Sequence, residues 1–195
     1  MSRPIVVVYF FEDVAHERFV RALVRRVAQQ KGLQLDERVR NATSGSRLWV
    51  ELKQFLRDLR REEELLPDVL IVVADGDCQS AAEVRRRIAS EVERSEVSVP
   101  HLVCAVPDPH IERWYIEDQQ ALPHVLKEAR PSKLSYKCER DRYKAALKQA
   151  IRAAGVEPVL GGAEYGEQIA EHLQPSRLDE SFQLFWEDLR KALHM

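Results

Sequence analysis

Three short acidic stretches carry the residue types most able to do chemistry in this chain. Glu12-Asp13 follows the apolar run Ile5–Phe11, Asp75-Gly76-Asp77 follows Val69–Val73, and Asp108 with Glu112 follows His101–Val106. If each run is a strand of a parallel sheet, these carboxylates collect at the carboxyl ends of the strands, where such sheets bind ligands. Asp75 and Asp77 are one residue apart and point the same way when the chain is extended, and Gly76 between them allows a sharp turn. Crowded carboxylates repel one another and a cation relieves them. All-oxygen donors suit Mg²⁺ or Mn²⁺ rather than zinc. The competing explanation is helix capping, because acidic side chains favour the positive end of a helix. Asp13, Asp77 and Asp108 all stand where a cap would. We assign Glu12, Asp75 and Asp77 to an ion with Glu112 as a fourth member, and read Asp13 and Asp108 as caps.

The elements that must position them follow from periodicity. Ile5–Phe11, Val69–Val73 and His101–Val106 are continuous apolar runs, as expected for strands covered on both faces, whereas residues 33–39 alternate like an edge strand. Helical spacing is predicted over residues 14–31, 47–64, 80–94, 111–120, 143–154, 164–173 and 178–193. Gly161-Gly162 reads as a turn, since it lacks a nucleotide-binding spacing. The alternation of strands and helices predicts an α/β fold, a mostly parallel central sheet with helices on both faces. We expect one compact domain, with an α/β core over residues 1–121 and a helical C-terminal extension over 122–195 packed upon it.

Composition narrows the function classes. The chain has 195 residues, 45% of them hydrophobic and 32% charged, the balance of a folded globular protein. Its formal charge of −2 supplies no overall field for nucleic acid, so any polyanion must meet a local patch. Residues 133–148 provide one: Lys133, Lys137, Arg140 and Lys144 are interleaved with Tyr136 and Tyr143, a mixture able to contact phosphates and stack a base, or simply to form a solvated face. The three cysteines, Cys78, Cys104 and Cys138, lie far apart without a CxxC pair or zinc spacing. We expect no disulfide framework, a reducing cytoplasmic setting, and a packing role for Cys78. The N-terminal apolar run is too short to span a bilayer. His16 is read as structural or solvent-facing, Trp114 as a core aromatic, and His101 lies at the wrong end of the sheet for chemistry.

The acidic strand ends resemble those of TOPRIM domains, which carry a glutamate after the first strand and Asp-x-Asp after the third; here these are Glu12, and Asp75 with Asp77. More narrowly, the chain resembles small stand-alone TOPRIM-like proteins of the DUF4276 and OLD-associated kind. Their first-strand E-G-x-x-E segment corresponds to Glu12-Asp13-Val14-Ala15-His16-Glu17, and their P-x-x-E-x-W-x-x-D segment to Pro109-His110-Ile111-Glu112-Arg113-Trp114-Tyr115-Ile116-Glu117-Asp118. Ser181-Phe182 with Phe185 and Leu189 resembles their closing helix. Asp13 replaces the family glycine, and Glu17 comes one residue late. The resemblance implies a Rossmann-like TOPRIM fold and a Mg²⁺- or Mn²⁺-dependent nuclease, with Glu12 as ligand or general base. It also implies nucleic acid as partner and an accompanying ATPase in bacterial defence against phage; a homo-oligomer is compatible with the sequence, which does not give the oligomeric state. A non-catalytic partner module of the same fold and a phosphohydrolase of small nucleotides are the alternatives.

Overall fold

The computed structural model describes residues 3–62, 66–139 and 141–194. Four strands, β1 (Ile5–Phe11), β2 (Leu35–Asn41), β3 (Val69–Val73) and β4 (His101–Ala105), form an all-parallel sheet in the order β2-β1-β3-β4. Between them run α1 (Val14–Gln30), α2 (Leu48–Arg61) and α3 (Ala81–Ser95). After β4 come α4 (Ile111–Glu117), α5 (Ala121–Val125), α6 (Arg142–Ala153), α7 (Gly166–His172) and α8 (Glu180–Ala192).

The continuous apolar runs are explained by a sheet with two buried faces. Val7, Tyr9 and Phe11 of β1 and Val69, Ile71 and Val73 of β3 enter one core with α1 and α4–α8. The alternate residues Val8, Phe10, Leu70 and Val72 enter a second core with α2 and α3. The fold is therefore Rossmann-like, with a helical C-terminal portion that shares its core with one sheet face. Against that portion Trp114 of α4 is fully buried and stacks on Phe185, and its indole N–H donates to Asp179 and Ser181. No helix among the described residues is long and apolar enough to cross a membrane.

Boundaries depart from expectation where polar groups intervene. Helix α4 stops at Glu117 because the buried Asp118 carboxylate takes the Gln120 and Gln174 amides and Arg177. The short α5 follows, which periodicity did not foretell. Helix α2 ends at Arg61; the expected continuation through Glu63 and Glu64 lies outside the described residues. Edge strand β2 runs to Asn41, two residues past the predicted end. Its Glu37 accepts from the Tyr9 hydroxyl (2.9 Å), Arg21 Nε (3.2 Å) and Arg25 Nε (2.7 Å), tying the edge to α1.

One expectation is overturned. Cys78 and Cys138 are joined by a disulfide across a sequence separation of 60 residues, and only Cys104 is free and buried. Spacing offered no sign of this, because the irregular segment between α5 and α6 is brought to the β3–α3 loop by tertiary folding alone.

Two stability measurements follow. Burial opposes the Glu37 charge, but Arg25, Arg21 and Tyr9 outweigh it and hold its carboxyl below the ordinary range. Its contribution is thus present above the ordinary glutamate pKa and is lost as pH falls through the depressed folded value. In chemical denaturation at neutral pH, Glu37→Gln is expected to cost about 2 kcal/mol, and this difference should vanish in acid; a pH-independent difference would contradict the assignment. Opening the bridge with a dithiol reductant, or by Cys138→Ser, should lower stability by up to about 4 kcal/mol, the chain-entropy value for a loop of this length. Unchanged melting of a chain whose mass confirms bridge opening would show that it closes no constrained loop.

Candidate metal centre

The exits of β1, β3 and β4 are laced together by backbone hydrogen bonds. The Glu12 amide donates to Val73, Ala74 to Ala105, Gly76 to Pro107 and Asp77 to Pro109. Gly76 is required by this closeness: a Cβ there would meet the Pro107 carbonyl oxygen at 2.9 Å. On this frame the side chains converge. The Asp75 amide donates to Glu12 Oε2 at 2.7 Å. Asp75 Oδ1 accepts the Ile111 amide at the start of α4 and faces His16 Nε2, both at 2.9 Å. His16 Nδ1 lies 2.7 Å from Asp13 Oδ1, which also accepts the Ala15 amide and so caps α1.

With a carboxylate at each ring nitrogen, His16 is held as an imidazolium although its side chain is only 1% exposed. Burial works against that charge, but Asp75 and Asp13 keep its pKa well above the ordinary histidine value. In return Asp75, despite burial, is held below the ordinary carboxylate range by His16 and His110. Asp13 is likewise drawn down against burial, to about 2, by its bonds to His16 and the helix amides. Glu12 and Glu112 are pushed the other way, each by burial and then by the Asp75 charge.

The residues present fit a hard divalent ion. Atoms of Glu12, His16 and Asp75 lie within 4.8 Å of one another, the one such group of three or more among the described residues; the two carboxylates offer oxygens to an ion, and His16 could join them only in its neutral form. Glu12 Oε1 occupies a cradle over Gly45, where a Cβ would come to 2.5 Å, so glycine in the β2–α2 loop makes room for this carboxylate. Glu112 stands in the first turn of α4, close enough for its carboxyl to respond to Asp75, His16 and Lys144.

The remaining predicted residues are placed less centrally. Asp77 has φ 48° and a side chain 70% exposed; its nearest ionic neighbour is His110, 3.6 Å away, which is equally close to Asp75. Asp108 does not cap α4, as had been expected; it accepts the Tyr136 hydroxyl instead. Glu17 faces Arg21 and Asn41. Lys133 and Lys137 lie on the irregular segment before α6, Lys137 pairing with Glu139, while Lys144 is on α6. Arg140 lies outside the described residues. Tyr143, one of the two tyrosines able to stack a base, is buried in the core.

Three participants escaped the sequence reading: His16 as a site residue, His110 and Gly45. A lone histidine has no periodic signature, although the Asp13-x-x-His16 spacing at a helix start was a usable sign of pairing. Nothing local distinguishes Gly45 from any loop glycine.

No curated protein and no solved structure matches this sequence. The family described as "Domain of unknown function (DUF4276)" matches residues 11–190. That span runs from the last residue of β1 into α8 and includes every carboxylate of the acidic cluster. The chain belongs to the DUF4276 family.

Proposed function

We propose that the chain is a Mg²⁺- or Mn²⁺-dependent phosphodiesterase acting on nucleic acid, a nuclease of the TOPRIM kind. The observation that carries this reading is the convergence of Glu12 and Asp75, from different strands, with the buried His16 at the carboxyl edge of a parallel sheet. Glu12, Asp75 and Glu112 would hold the ion, with Asp77 completing the set, while His16, protonated between Asp13 and Asp75, holds Asp75 in place rather than ligating. Such an ion, when bound, neutralises a phosphate oxygen and acidifies water. The chain's own part is to fix the donors. The Asp75 amide orients Glu12, and His16 and the Ile111 amide orient Asp75. Lys144, whose charge reaches Glu112, offers a cation for the substrate backbone. A partner ATPase and a defence role belong to this reading through the resemblance alone; a cytoplasmic setting is expected from cysteine spacing and the short N-terminal apolar run, and self-association is open to it.

A second reading is favoured by one observation. Both His16 nitrogens are taken by Asp13 and Asp75, so the protein already supplies a cation to its own acidic floor. A non-catalytic module of the same fold would need nothing more.

Calorimetric titration with Mn²⁺ separates the two. The wild-type chain should bind, Glu12→Gln and Asp75→Asn should abolish binding, and Gly45→Val, which pushes Glu12 off its cradle, should weaken it by about tenfold. The same two carboxylate variants should lose cleavage of DNA or RNA in Mg²⁺ or Mn²⁺. A wild-type chain that leaves DNA and RNA of several topologies intact, or carboxylate variants that cleave equally well, would contradict the nuclease reading.

A further inference from the structure

The segment between α6 and α7 forms a rigid apolar tip. The Glu164 carboxylate accepts the backbone amides of Val159 (2.6 Å), Leu160 (3.0 Å) and Gly162 (3.0 Å). At its base, Arg152 pairs with Glu157 through both Nε (3.0 Å) and Nη2 (2.6 Å). Gly161 and Gly162, with φ of 69° and 105°, complete a turn that other residues adopt only with strain. Hydrogen bonding of this kind orders a loop in advance, yet its two apolar side chains cover nothing: Val159 is 85% exposed and Leu160 52%.

The position of the tip makes this exposure informative. The turn Ala163–Tyr165 that follows packs against α1, and a Cβ on Gly166 would meet the Tyr115 hydroxyl, which itself donates to Ala15 in the first turn of α1. That is the helix end carrying Asp13 and His16. Gly161 also lies against the Cε atoms of Lys144 and Lys148, each 3.4 Å from where its Cβ would be, and the Lys144 charge reaches Glu112. Lys144 stands on α6, which packs against α4, the helix that carries Glu112. Val14, at the start of α1, is a further exposed apolar residue on this rim.

We infer that Val159 and Leu160 form a wedge that inserts between bases of a nucleic acid whose backbone lies along Lys144 and Lys148. This inference rests on reading the acidic cluster as a phosphodiester site, and it names the contact that site makes with its substrate. Aliphatic side chains on an ordered loop unstack base steps when flanking cations hold the backbone. A protein partner would fit the apolar pair equally well, but not its setting of lysines beside an anion-processing floor.

The test uses full-length chain bearing Glu12→Gln with Asp75→Asn, which cannot cleave and no longer repels phosphate from the floor. The probe is duplex DNA with aminopurine as a stacking reporter. Binding should raise aminopurine fluorescence at least about twofold. Adding Val159→Ser with Leu160→Ser, both fully tolerable at exposed positions, should remove that rise and weaken binding about tenfold. Lys144→Ala with Lys148→Ala should weaken binding and flatten its salt dependence. If the serine pair binds as tightly with the same fluorescence, the wedge is refuted, and the tip is left for a protein partner. The outcomes also separate the wedge from the nuclease reading. Wild-type cleavage unaffected by the serine pair sinks the wedge alone. Tip-dependent binding without wild-type cleavage sinks hydrolysis and supports the wedge. Failure of both binding and cleavage sinks the two together.

Discussion

Asp75 makes the contacts on which the carboxyl edge of the sheet depends. Its amide fixes Glu12 at the end of β1, one carboxylate oxygen holds His16 on α1, and the same oxygen receives the first amide of α4. The β1–α1 junction and the start of α4, remote from each other in sequence, are joined through this one residue, with each contact under 3 Å. Burying this carboxylate costs solvation, and the cost is met by the imidazolium beside it and the helix amide in front of it. Once Asp75 is placed, Glu12 cannot turn away without leaving an amide unpaired.

This arrangement accounts for the division among the acidic residues. Asp13 is committed to capping α1 and to His16, so it belongs to the support of the site rather than to its open face. Asp77 shares a triplet with Asp75 but not its environment: the positive φ at residue 77 carries its side chain into solvent. Glu12 and Glu112, lifted by burial and by the Asp75 charge, are the carboxylates a divalent ion would relieve. The disulfide ends at Cys78, next to Asp77, and anchors there the segment that bears Lys133 and Lys137.

How much of this was legible in the sequence follows from physical range. The apolar runs named three strands, because burial on both sheet faces leaves a local mark on every residue. Parallel topology followed from the alternation of strands and helices, and with it the level at which Glu12 and Asp75 meet. What stayed hidden is long-range. His16 is defined by Asp75, 59 positions away, Gly45 by Glu12, and the Cys78–Cys138 bridge by the course of an irregular segment. Asp108 was misread because capping was inferred from chain position, whereas the amide at the start of α4 is taken by Asp75 from another strand. The helix over 143–154 was foreseen, but a basic run left open which face Tyr143 takes; its spacing with Leu147, Ala150 and Ile151 puts it in their core.

The central claim is that Glu12 and Asp75 share one divalent ion, and anomalous scattering from a crystal soaked in Mn²⁺ tests it most directly. The account predicts a manganese peak bonded to an oxygen of each carboxylate, with Glu112 drawn toward it. A crystal soaked to saturation with no peak there, and His16 still bridging Asp13 and Asp75, would contradict it.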